Sequence, residues 1–141
     1  GSYQILYATG TKHYDRAKEY GNDYIKVVER IDGIKAMKAS TLLLSRAGAT
    51  TLAEITAVGM PSILIPSPYV PNNHQFYNAK ALVDKGAALM IEEKDLNAEV
   101  LLEKIDMCMN DDTLRQKLAF NALKEANTNV VEDIISRLEN L

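Results

Sequence analysis

Residues 42–78, LLLSRAGATTLAEITAVGMPSILIPSPYVPNNHQFYN, leave this chain few ways to fold. The runs at 41–45 and 62–65 are apolar without alternation, the pattern of strands buried on both faces, and both are too short for helices. Between them residues 49–58 carry helical spacing and stop at Gly59, with Met60 and Pro61 barring continuation. Strand, glycine turn, helix, strand is the unit from which open α/β sheets are built, so the expected fold is a doubly wound, Rossmann-like parallel sheet with helices on both faces.

That unit also forms phosphate-binding crevices. Ser45, Arg46, Ala47 and Gly48 join strand to helix, so the free N–H groups of the first helical turn face the strand ends, where a diphosphate fits. Gly48 is expected as a turn glycine with positive φ, and its missing Cβ would let the backbone approach the diphosphate closely. After the second strand, Asn72, Asn73, His74 and Gln75 precede a helix expected over 76–85. Amides and an imidazole make uncharged hydrogen bonds to hydroxyls, as a sugar requires. The stretch reads as a nucleotide-sugar site.

Several side chains have two readings. Thr51, Leu52, Ala53 and Glu54 match a capping box, which would turn Glu54 back onto its own helix; a carboxylate also suits a diol, since it accepts from two O–H groups. Arg46 either stacks on a neighbour or approaches phosphate. Asn78 either joins the site or caps the following helix. Ile31 and Ile34 read as core. Cys108, the one cysteine, sits in an apolar helical pattern and reads as a buried thiol, and Met107 and Met109 read as core fillers. Asp111 and Asp112 are adjacent, which suits a helix start better than chelation, and no metal site is expected.

The rest of the chain fits one domain, with 47% hydrophobic and 25% charged residues. A net charge of -3 and no basic stripe argue against nucleic acid as a partner. Nothing approaches a membrane span, and a lone cysteine suits a reducing cytoplasm. Gly1 and Ser2 resemble a cloning remnant, leaving 3–141 as the domain. Further strands are expected at 3–8, 24–28 and 88–91, and helices at 12–20, 33–39, 98–109, 112–126 and 130–141, the last three as amphipathic C-terminal helices. His13 is expected at the surface or as a cap.

The segments SRAGATTLAEITAVGMPSILIPSP, NNHQ and NAKALVDKGAA closely resemble the C-terminal domain of the MurG-type UDP-N-acetylglucosamine transferases. The resemblance implies the donor-binding half of a GT-B glycosyltransferase of peptidoglycan synthesis. Such an enzyme moves N-acetylglucosamine from UDP-GlcNAc, a substrate and not a cofactor, to a lipid-linked muramoyl-pentapeptide, by inversion and without a metal. It implies main-chain contacts to uracil at Ile31, with Ile34 nearby, and a donor site lined by Ala49, Thr50 and Thr51. It also implies a ribose contact at Glu54 and sugar contacts at Gln75; many relatives carry glutamine where this chain has His74.

By the same resemblance the acceptor site lies in an N-terminal domain, the parent is peripheral on the cytoplasmic membrane face, and this chain alone is inactive. Two alternatives are the catalytic subunit of a two-subunit dolichol-linked transferase and a non-enzymatic nucleotide-binding module. A nicotinamide dehydrogenase half is disfavoured because no G-x-G-x-x-G follows a strand. The family domain also begins with a strand and glycine-rich turn that nothing here matches. In strand order 3-2-1-4-5-6 this strand is central. Its absence predicts that strands 3–8 and 41–45 pair directly, or that another chain or a bound segment fills the gap, which makes an open sheet edge a surface for self-association.

Overall fold

The structure is a computed structural model and describes residues 4–8, 25–28 and 34–126. The expected helices at 12–20 and 130–141, and residues His13 and Ile31, lie outside the described residues.

Five parallel strands form one sheet: β1 (Ile5–Ala8), β2 (Ile25–Val28), β3 (Leu42–Ser45), β4 (Ser62–Leu64) and β5 (Leu89–Met90), in the order β2-β1-β3-β4-β5. β1 pairs directly with β3, Ile5 opposite Leu42 and Tyr7 opposite Leu44, and the Gln4 carbonyl accepts from Thr41 N at 3.0 Å. Of the three arrangements expected for the missing central strand, direct closure is the one observed. The backbone groups that would have faced a gap are thereby paired.

Helices α1 (Ile34–Lys38), α2 (Ala49–Val58), α3 (His74–Asp84), α4 (Ala98–Met109) and α5 (Asp112–Glu125) complete the described fold. Successive strand residues point to opposite faces, and the core divides accordingly. Leu6, Leu43 and Leu64 join Leu52, Ile55 and Leu82 of α2 and α3 on one side. Ile5, Leu42, Leu44 and Ile63 meet Ile105, Cys108 and Met109 of α4 on the other. Both faces are buried, which is why neither β3 nor β4 alternates in sequence.

Gly59 ends α2 with φ 74, and a Cβ there would lie 2.6 Å from Cγ of Leu123 on α5, so left-handed backbone and close helix approach both require glycine. Asp111 starts α5 by accepting from Leu114 N at 3.0 Å, as its position suggested. Cys108 is buried as expected, and burial pushes its thiol pKa up. Two core assignments change: Met107 and Ile34 are each 43% exposed. Met109, two residues from Met107, turns to the opposite side of α4 and takes the buried position.

Candidate functional site

The carboxyl ends of β3 and β4 lead into the two segments that the sequence singled out. Residues 46–48 run from β3 to α2, where Gly48 is the N-cap. Gly48 has φ -68 and ψ 147, so the expected positive φ is overturned; glycine is not needed there for conformation. An added Cβ would meet no described atom within 4 Å. Among the described residues the missing side chain leaves open space beside the N-terminus of α2, and no side chain caps that end. Its first-turn N–H groups, from Gly48, Ala49, Thr50 and Thr51 onward, carry partial positive charge with no partner inside the helix.

Because the helix begins at Ala49, Glu54 sits beyond its first turn and outside the N3 position of a capping box. That reading of Glu54 is excluded. Glu54 is partly buried, and the described residues give it no hydrogen-bond or ion-pair partner. Thr50 and Thr51 precede it by four and three residues, which places all three on one helix face below the uncapped end.

The amide-rich segment differs from its expected form. A short 3-10 turn, Pro71–Asn73, runs into α3, which begins at His74 and not near Phe76. Asn72 and Asn73 are both left-handed, with φ 56 and 57, a conformation asparagine tolerates better than most residues. His74 is therefore the first residue of α3, partly buried, and Asn78 lies inside the helix and caps nothing. Gln75 is strongly engaged: its Oε1 accepts from Ala47 N at 3.1 Å and from Ser67 N at 2.9 Å. Asn78 Nδ2 approaches the Ala47 carbonyl at 3.5 Å. Gln75 Nε2 has no partner among the described residues.

Arg46 is engaged by protein acceptors. Its Nη1 donates to Glu93 Oε2 at 3.1 Å and to the Ile65 carbonyl at 3.3 Å, while Nη2 donates to Glu93 Oε1 at 3.3 Å. The fork of donors is matched to a carboxylate beyond β5, so Arg46 ties three strand ends together. Sequence reasoning missed Glu93 and Ser67 because their partners are distant in the chain. An open cavity of about 390 Å3 lies beside them, between Tyr69 and Phe76 on one side and Glu92 to Lys94 on the other. Of the residues singled out from sequence, Asn73 lines it. The aromatic side chains of the 69–76 segment were a further sequence signal.

Among the described residues no group of three or more His, Cys, Asp or Glu is placed to hold a metal, and no helix is long and apolar enough to cross a membrane.

The family model described as the glycosyltransferase family 28 C-terminal domain matches residues 1–138. A UDP-N-acetylglucosamine--N-acetylmuramyl-(pentapeptide) pyrophosphoryl-undecaprenol N-acetylglucosamine transferase of Bacillus cytotoxicus is 52% identical over 130 residues, covering 86% of this chain and 36% of the relative. The crystal structure of Acinetobacter baumannii MurG superposes with a TM-score of 0.72 at 26% identity, over 98% of this chain and 43% of that one. The glycosyltransferase VinC, solved in complex with dTDP, gives a TM-score of 0.68 at 16% identity over 99% of this chain and 42% of its own, a likeness of fold alone. This chain therefore spans less than half the length of each.

Proposed function

The chain belongs to glycosyltransferase family 28 as a C-terminal domain, and from that premise we propose that it binds UDP-GlcNAc as the sugar donor of a peptidoglycan-precursor transferase. The observation that carries this reading is the face of α2. An uncapped helix N-terminus adjoins a glycine whose open side no described atom fills, and a carboxylate without a partner among the described residues lies one turn further on.

The diphosphate sits against Gly48, Ala49, Thr50 and Thr51, whose backbone N–H groups supply local positive potential on a chain of net charge -3. As the glycosidic bond to the sugar breaks, charge grows on the departing UDP, and the same fixed dipoles stabilise it. Glu54 accepts from the two ribose hydroxyls. Ile34, exposed at the start of α1, borders the uracil. Gln75 Nε2, His74 and Asn78 present donors toward the sugar from the first turns of α3. Arg46 has no ligand role in this scheme.

The Bacillus relative is named for a pyrophosphoryl-undecaprenol acceptor. In this scheme the acceptor and the base that deprotonates it come from outside this chain, the complete reaction runs at the cytoplasmic face of a membrane, and this chain alone turns over nothing. Calorimetric titration with UDP tests the reading: Glu54→Ala should weaken binding by about 1–3 kcal/mol, the usual cost of stranding hydrogen-bond partners. Equal affinity of wild type and variant would remove Glu54 from the site.

A further inference from the structure

We propose that Gln75 is a positioning residue that holds the glycine turn of the diphosphate site in place, so that it governs affinity for the nucleotide itself and not only for the sugar; this rests on the donor-site reading above. The geometry lies where β3 and β4 part. Their ladder ends with Ile65 N donating to the Ser45 carbonyl at 2.8 Å. Beyond it one chain turns into α2 and the other, through Pro66, into the loop toward α3.

The next N–H groups on the two diverging segments, those of Ala47 and Ser67, have no strand to donate to. Gln75 Oε1 takes both, at 3.1 and 2.9 Å. One amide oxygen has two lone pairs, so a single side chain continues the ladder past the point where the backbones separate. Ala47 is fully buried, so its N–H would otherwise be stranded from water. Asn78, three residues on and on the same face of α3, reaches the carbonyl of the same Ala47 at 3.5 Å. The peptide groups before and after Ala47 are thus gripped from one helix, and they fix the direction in which Gly48 and the first turn of α2 present their N–H groups. An anion held by several converging N–H groups is sensitive to displacements of about 1 Å.

A role limited to reading the sugar would predict that substitutions at Gln75 affect UDP-GlcNAc and spare UDP. The clamp predicts a common loss. In the full chain, Gln75→Met keeps the shape and removes the acceptor. Its affinity for UDP should fall about tenfold, for one mis-set N–H contact, and that for UDP-GlcNAc by at least as much. Amide hydrogen exchange without ligand supplies a readout that sugar contact cannot move. Ala47 and Ser67 should exchange about tenfold faster or more in Gln75→Met, while Leu44 in the middle of β3 stays protected. Gln75→Glu retains an acceptor for both amides and should restore their protection.

Unchanged UDP affinity with a selective loss of UDP-GlcNAc, or wild-type protection of Ala47 and Ser67 in Gln75→Met, would overturn the clamp. Failure of the wild-type chain to bind UDP would instead count against the donor site, and the exchange of the two amides would still decide the clamp.

Discussion

Replacing Gly48 by alanine separates folding from binding at the turn before α2. In the folded chain the new methyl costs little, because φ -68 and ψ 147 suit any L residue and no described atom lies within 4 Å of the added Cβ. Alanine lowers the entropy of the unfolded chain, worth about 0.4–1 kcal/mol in favour of the variant. Against this, alanine is a poorer N-cap than glycine, by roughly 0.5–1 kcal/mol. The two nearly cancel, so stability should change by less than about 0.5 kcal/mol and Tm by less than about 3 °C. Binding behaves otherwise, since the methyl occupies the space through which a diphosphate reaches the backbone. Affinity for UDP should drop at least tenfold, which is about 1.4 kcal/mol. Thermal unfolding and calorimetric titration of the same preparations give both numbers. UDP affinity retained at unchanged Tm would show that the diphosphate does not sit at this turn. A large fall in Tm would show that folding itself requires Gly48 and that its open side is no site.

Gly59→Ala is the contrasting case: left-handed backbone and a 2.6 Å approach to Leu123 should cost about 1–3 kcal/mol by denaturant unfolding, and a neutral result would mean α5 can retreat from α2. Asn73→Gly relieves a left-handed asparagine and should leave stability equal or slightly raised, whereas Asn73→Val should lose about 1 kcal/mol or more; equal midpoints in urea would remove the strain argument. Burial raises the Cys108 pKa, so the folded chain keeps the thiol protonated where the unfolded chain ionises. That contribution is complete below the unfolded value near 9.0 and is lost above it as pH rises through the raised folded value. Cys108→Ala should therefore show a shallower alkaline fall in unfolding free energy than wild type, and parallel curves would contradict it.

The sheet was legible because its signal is local. Leu42–Ser45 and Ser62–Leu64 announce strands buried on both faces, and Gly59 announces the end of a helix by the residue its φ demands. Direct closure of β1 on β3 was one of three outcomes that unpaired backbone allowed. The start of α3 was misjudged for a physical reason: its N-cap Asn73 is left-handed and makes no side-chain cap, so the usual start signal is missing. Gly48 was assigned the wrong φ because sequence does not distinguish a glycine required by backbone conformation from one that leaves space. Glu54 could not be released from a capping box until the first residue of α2 was known. The engagements of Arg46 with Glu93 and of Gln75 with Ala47 and Ser67 span 47, 28 and 8 residues of sequence, and only the packing of strand ends brings them together.

Whether the α2 face is where the nucleotide binds is tested residue by residue by titrating the isotope-labelled chain with UDP and following amide chemical shifts. Saturable shifts are expected, centred on Gly48, Ala49, Thr50, Thr51 and Glu54, with Ala47 and Ser67 following. Shifts confined to the cavity between Tyr69, Phe76 and Lys94, or no saturable shift at all, would contradict it.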